Sequence, residues 1–267
     1  MLYSCVPRKS VPWKILGVIP ARYASSRFPG KALARIASKS MLERVYERVS
    51  MARYLTRVIV ATDDERIAAE ARRFGGQVRM TRLDHLSGTD RVAEVASSEN
   101  CDLVVNVQGD EPLIDPAAID AAVLPMLDDE DTPMGTLKKR IEDAREIHDP
   151  NVVKVVTDRD DKAIYFSRAT IPHVRENDPA PRFKHIGLYV YRRDFLLAYP
   201  DLPVGPLERA ERLEQLRALE NGYSIRVVET EYESLGVDTP EDLERVENLF
   251  LAFSQPGVGG ANTKKNG

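Results

Sequence analysis

A chain of 267 residues with a formal net charge of −4 and 43% hydrophobic residues carries enough apolar material for one large α/β domain or two small ones. The slight acidity argues against a general nucleic-acid binder, which needs a basic face, and two cysteines, Cys5 and Cys101, are too few for a disulfide framework or a paired CxxC zinc site. No apolar run reaches the ~18 residues of a membrane span, and the first dozen residues lack the apolar core of a secretion signal, so a cytoplasmic, reducing location is expected.

In chain order, "KILGVIP" (Lys14 to Pro20) reads as a buried strand closed by proline. Apolar residues at helical spacing predict a helix over Met41 to Tyr54, and "RVIVAT" (Arg57 to Thr62) predicts a second strand. Asp63, Asp64 and Glu65 place acids at the start of a helix that runs to about Phe74 and stops at Gly75 and Gly76. "DLVVNV" (Asp102 to Val107) is a third strand, followed by a helix from about Pro116 to Leu127. Strands alternating with helices imply crossovers and a mostly parallel sheet.

The rhythm changes near Met134. "GTLKKRI", "NVVKVVTD", "AIYFS" and "GLYVYRR" are strand-like, with little helix between them, and read as an antiparallel part over roughly residues 134–200. Helices return at about Leu207 to Glu220 and at Pro240 to Phe253. The Gly/Asn/Lys-rich tail, 255–267, is expected to be disordered.

Three stretches carry candidate chemistry. "GVIPARYASSRFPGKAL" leaves the first strand and presents Arg22, Arg27 and Lys31 among small residues. Ligands of an open parallel sheet sit beyond the carboxyl ends of its strands, and small residues let backbone N–H groups approach an anion. The loop matches neither a Walker P-loop nor GxGxxG, so a polyphosphate loop and a solvated basic turn both remain open. "VNVQGDEP" puts Gln108, Asp110 and Glu111 at the same sheet edge. Carboxylates beside a phosphate need a cation between them, and Mg2+ suits that; a polar turn is the plain alternative. In "LGVDTPEDL", Thr239 can cap a helix and Pro240 fits its first position, which leaves Asp238 without a structural reason. "RLDHLSGTDR" holds a helix start at Ser87-Gly88-Thr89, where capping explains Thr89 and exposed backbone reading a base is the alternative. Arg168, His185, Glu214 and Gln215 would not by themselves mark a site.

Taken together and in this order, "IPARYASSRFPGK", "ATDDERIA", "TRLDHLSGTDR", "VNVQGDEP", "NVVKVV", "YFSRATIP", "HIGLYVYR", "LEQLRAL" and "GVDTPEDLERV" resemble the 3-deoxy-manno-octulosonate (Kdo) cytidylyltransferases, from about Ile15 to about Leu249. The resemblance implies a Rossmann-like nucleotide-diphospho-sugar transferase fold. It implies residues 14–254 as the nucleotidyltransferase domain after an N-terminal extension of residues 1–13, and a homodimer built on the antiparallel part. The implied reaction is CTP + Kdo → CMP-Kdo + pyrophosphate, feeding lipopolysaccharide synthesis. Arg22, Arg27 and Lys31 would bind the CTP phosphates, with Ala21, Ser87 and Gly88 around the cytosine. Asp110 and Asp238 would hold Mg2+, and Gln108, Arg168, His185, Tyr189, Glu214 and Gln215 would surround the sugar acid. Arg22, Lys31, Asp110 and Asp238 are thereby the implied catalytic set. Sialic acid cytidylyltransferases, uridylyltransferases and a non-catalytic nucleotide binder are the rival readings.

Overall fold

The computed structural model describes residues 12–24, 28–175 and 180–254. Arg27, most of the N-terminal extension and the tail from residue 255 lie outside the described residues.

The first half alternates as its periodicity predicts. Strand β1 (Ile15–Pro20) is followed by a short hairpin, β2 (Arg35–Ile36) and β3 (Lys39–Ser40), then helix α1 (Met41–Ser50) and β4 (Arg57–Thr62). Next come α2 (Glu65–Arg73), β5 (Val78–Met80), α3 (Gly88–Ser97), β6 (Leu103–Asn106) and α4 (Pro116–Asp128). The second half contributes β7 (Met134–Arg140), α5 (Ala144–His148), β8 (Lys154–Thr157), β9 (Ala163–Ser167) and β10 (Phe183–Arg192). It ends with α6 (Arg193–Ala198), α7 (Pro206–Glu211), α8 (Gln215–Glu220), β11 (Ile225–Glu229) and α9 (Pro240–Ser254).

The main sheet runs β11-β7-β10-β6-β1-β4-β5. The pairs β1–β4, β1–β6, β4–β5 and β11–β7 are parallel, whereas β10 is antiparallel to both of its neighbours in that path. The stretch read as an antiparallel part contributes two strands to the central sheet and two beside it. Its β7 and β10 are interior strands, and only β8 and β9 project, antiparallel, from the start of β10.

Helices cover both faces, which is why β1 and β4 read as nearly unbroken apolar runs. Ile15 and Ile19 of β1 pack with Leu42, Val45 and Val49 of α1 and Ile119 of α4 on one face. Leu16 and Val18 pack with Val92 and Val95 of α3, Leu196 of α6 and Leu216 of α8 on the other. A third cluster, Ile36, Met41, Val237 and Val246, seats α9 against the β2–β3 hairpin.

The single helix expected over Leu207 to Glu220 is two. Arg212 takes a left-handed conformation (φ 53°) between α7 and α8, stopping one and re-aiming the next.

Candidate active site

From β1 the chain steps to β4 and β5 on one side, then returns to place β6 on the other side of β1. The loops after β1 and β6 diverge at this reversal, where open α/β sheets leave a crevice. A cleft of about 470 Å3 lies there, lined by Ala21, Arg22, Lys31, His85, Leu86, Ser87, Gly88, Arg91, Gln108, Gly109, Asp110, Glu214 and Asp238, with Pro20 and Ala32. The two loops touch closely: a Cβ on Gly109 would stand 2.8 Å from the Pro20 carbonyl oxygen, so only glycine fits.

The basic loop doubles back through Gly30, whose φ of 71° is left-handed and whose N–H donates to the Tyr23 carbonyl at 2.9 Å. That turn aims Lys31 into the cleft. Lys31 Nζ donates to Asp110 Oδ2 at 2.5 Å, Asp238 Oδ1 at 3.1 Å and the Val237 carbonyl at 3.1 Å. Asp110, from the loop after β6, and Asp238, from the segment before α9, thus meet on one cation. Lys31, expected to face phosphate, here faces the carboxylates. Arg22 is exposed in the same cleft.

Asp238 is held by its surroundings. Val237 N–H donates to the Asp110 carbonyl at 2.9 Å, and Val237 itself is buried. Asp242 Oδ2 accepts the N–H groups of Asp238 and Thr239, both at 3.0 Å, while Thr239 Oγ1 accepts from the Asp242 N–H at 3.2 Å. Thr239 therefore caps α9, as its position predicts.

At α3 the cap is Ser87 rather than Thr89. Ser87 Oγ accepts from Asp90 N–H at 3.1 Å and Asp90 Oδ2 accepts from Ser87 N–H at 3.1 Å. The reciprocal pair satisfies two otherwise free N–H groups, and releases the Thr89 hydroxyl to donate to Glu214 Oε2 at 2.9 Å. That bond joins α3 to the start of α8 across the cleft wall.

Of the expected sugar-acid residues, Gln108 and Glu214 line the cleft; Arg168, His185, Tyr189 and Gln215 are not among its lining residues. Gln108 Nε2 donates to the Gly187 carbonyl at 3.4 Å, and His185 and Tyr189 flank that bulge in β10. The Thr136 hydroxyl lies 2.8 Å from the Leu188 carbonyl, to which it donates, so at 2.9 Å it accepts from His185 Nε2–H. Burial holds the imidazole pKa down to about 3, so the ring is neutral. Burial also pushes the Tyr189 phenol well above its ordinary range. Gln215 is buried with its Nε2 unpartnered.

Arg168 departs furthest from expectation. Its Nε donates to the Glu211 carbonyl at 2.8 Å and its Nη1 to the Pro150 carbonyl at 2.9 Å. Glu211 in turn accepts from Ser167 Oγ at 2.6 Å and from the Arg168 N–H at 2.9 Å. In this arrangement the guanidinium braces β9 against the α7–α8 break and does not point to a carboxylate ligand.

Sequence reasoning left three groups without their partners. Asp63, read as a helix-start acid, pairs with buried Arg91 of the cleft at 2.8 Å, and Asp64 supplies the α2 cap instead. His85 contacts Glu94 beside the cleft. Glu111 is buried, accepting from Ser234 Oγ at 2.7 Å and Tyr232 Oη at 3.0 Å.

Comparison with known proteins shows the family. The cytidylyltransferase family model matches residues 16–229. The 3-deoxy-manno-octulosonate cytidylyltransferase of Solibacter usitatus is 71% identical over 93% of this chain and 99% of its own length. That of Syntrophotalea carbinolica is 63% identical over 87% of this chain and 97% of its own. A solved CMP:2-keto-3-deoxy-manno-octonic acid synthetase complexed with CTP superposes with a TM-score of 0.87 at 45% identity, covering 90% of this chain and 99% of that one. Built around this cleft and matched along nearly its whole folded length, the chain belongs to the cytidylyltransferase family, and within it to the 3-deoxy-manno-octulosonate cytidylyltransferases.

Proposed function

We propose that the chain transfers a cytidylyl group from CTP to Kdo, giving CMP-Kdo and pyrophosphate. The observation that carries this reading is the meeting of Asp110 and Asp238 on one cation, at the mouth of a cleft floored by the loops after β1 and β6.

Two carboxylates offering hard oxygen donors fit Mg2+, which takes one or two protein carboxylates and completes its shell with water and phosphate oxygens. Among the described residues no group of three or more His, Cys, Asp or Glu side chains could hold a metal, so the pair would need the substrates' oxygens. Asp110 and Asp238 would hold the ion, and when bound it supplies Lewis-acid polarisation and a lowered pKa for the attacking hydroxyl.

The remaining work falls to the chain's own groups. Arg22 and Lys31 stabilise negative charge gathering on the departing pyrophosphate. Ser87 and Gly88 line the cleft at the start of α3, and their backbone reads the cytosine. Gln108 and Glu214 orient the sugar acid. The C2 hydroxyl oxygen bonds to the α-phosphorus as the opposite bond to the pyrophosphate oxygen breaks, and the hydroxyl proton passes to solvent.

Pyrophosphate release with CTP, Mg2+ and Kdo, against CTP and Mg2+ alone, tests the reading; equal release in both arms refutes it. UTP, ATP, sialic acid and an amino analogue of Kdo in the same assay define the specificity. We further place the product in lipopolysaccharide synthesis and the enzyme in the cytoplasm as a homodimer paired through the projecting β8–β9 arm, where Ile164 is 60% exposed. No helix among the described residues is long and apolar enough to cross a membrane. Light scattering that returns a monomer mass at working concentration would remove the dimer from this reading.

A further inference from the structure

Lys31 stands where two requirements collide. Its ammonium has three N–H donors, and three oxygens receive them: Asp110 Oδ2 at 2.5 Å, Asp238 Oδ1 at 3.1 Å and the Val237 carbonyl at 3.1 Å. The side chain is largely shielded, with 17% of its surface exposed against 29% for Asp110 and 46% for Asp238. The contact is a specified one. Gly30 turns the chain through a left-handed conformation, and a short 3-10 turn begins at Lys31, which points the side chain inward. The Val237 N–H bond to the Asp110 carbonyl sets the two acidic segments at matching height.

A divalent ion bound to these same carboxylates meets Lys31 as a like charge in a partly desolvated place. The ammonium and the metal compete for the same oxygens. An ammonium expelled from the pair needs another anion, and the loop that carries it opens on the cleft that would receive a triphosphate.

We propose that Lys31 is a resident counter-ion that couples metal binding to nucleotide binding. It holds Asp110 and Asp238 together and releases them to the metal when the nucleotide phosphates accept its charge. This rests on the reading of Asp110 and Asp238 as the metal carboxylates. Metal alone must displace Lys31 with nothing to receive it. Nucleotide alone must draw Lys31 away from both carboxylates with no metal to replace it. Together each relieves the other's cost, and by linkage the gain is the same whichever binds first.

The test is Mn2+ binding by the full-length protein without nucleotide, read as loss of the free-ion EPR signal. Lys31→Gln should bind Mn2+ at least about ten-fold more tightly than wild type, within the usual range of coupling between sites. Lys31→Arg, which keeps the charge, should bind as weakly as wild type. The Lys31→Gln gain should vanish when Asp110→Asn is added. As a second readout, Mn2+ should raise the melting temperature of Lys31→Gln and scarcely move that of wild type.

If Lys31→Gln binds Mn2+ no more tightly while Asp110→Asn weakens Mn2+ binding by the wild-type chain, the metal site stands and the counter-ion proposal falls. Should Lys31→Gln fail to fold, tighter Mn2+ binding by Lys31→Arg overturns the proposal, because charge would not be what holds the metal off. If the Lys31→Gln gain survives Asp110→Asn, the ion is not on this pair and the metal reading falls with the proposal.

Discussion

Glu111 offers the sharpest test of how the acidic pair is held. It is 7% exposed, and its carboxyl is pushed above the usual range by burial, with the neighbouring charge of Asp110 adding to the effect. Its two oxygens accept from Ser234 and Tyr232, which lie on the segment leading to Asp238. Glu111→Ala strands both hydroxyls, each an unmade bond of about 1–3 kcal/mol when buried. Ser234 and Tyr232 are only half-buried and can turn partly to water, so the expected loss is nearer ~2–3 kcal/mol in total. For a chain of this size that corresponds to a fall in melting temperature of roughly 4–12 °C. Glu111→Gln keeps the shape and, with one hydroxyl reversed to accept from the amide, both contacts; it should stay within ~0.5 kcal/mol of wild type, the scale of a substitution that breaks no feature. Urea unfolding at pH 7.5 measures both variants. If alanine costs less than glutamine, or both leave stability unchanged, Glu111 is not the clasp between the two acidic segments.

Asp110→Asn and Asp238→Asn should fold normally yet lose about 2–4 kcal/mol of barrier lowering, a rate fall of roughly 30- to 1000-fold at saturating CTP, Kdo and Mg2+. Near-normal turnover in either would count heavily against the metal assignment. Ser87→Ala removes the α3 cap and should cost about 1 kcal/mol in stability, seen by urea denaturation, whereas Thr89→Ala should leave the cap intact. The folded pKa of His185, about 3, lies below its unfolded value of 6.5, so the unfolded chain takes up the proton first as pH falls. Stability from this group is whole above pH 6.5 and should decline by about 1–2 kcal/mol by pH 5. His185→Gln lacks that decline, and unfolding at pH 7.5 and pH 5 should show its stability relative to wild type rising as the pH falls; a difference independent of pH would contradict a neutral imidazole in the folded chain.

The central strands were legible because a sheet covered on both faces leaves apolar runs, and Arg57–Thr62 matches its predicted bounds. The edge strand Val78–Met80 was not, since its side chains are mostly exposed and carry no run to read. The break at Arg212 has no glycine or proline to announce it; Arg168, far off in the chain, holds it through the neighbouring Glu211. The β10 insertion was equally hidden, because local periodicity says nothing about which strand lies beside which. At the site, motif order pointed to Arg22, Lys31, Asp110, Asp238 and Gln108, and the structure brings them to one cleft. The Lys31 bridge and the Glu111 clasp were beyond reach, since each joins residues far apart in the chain.

The place of β10 also constrains how the protein can be made. Its ten residues, 183–192, slot between β6 and β7, both of which leave the ribosome earlier. Until the later segment emerges, those two strands present raw hydrogen-bonding edges on a nascent sheet that has no closing partner. The N-terminal half is thus no self-sufficient unit despite its regular βα alternation, and a chain halted before residue 183 would expose the very surfaces that promote sticking to its neighbours.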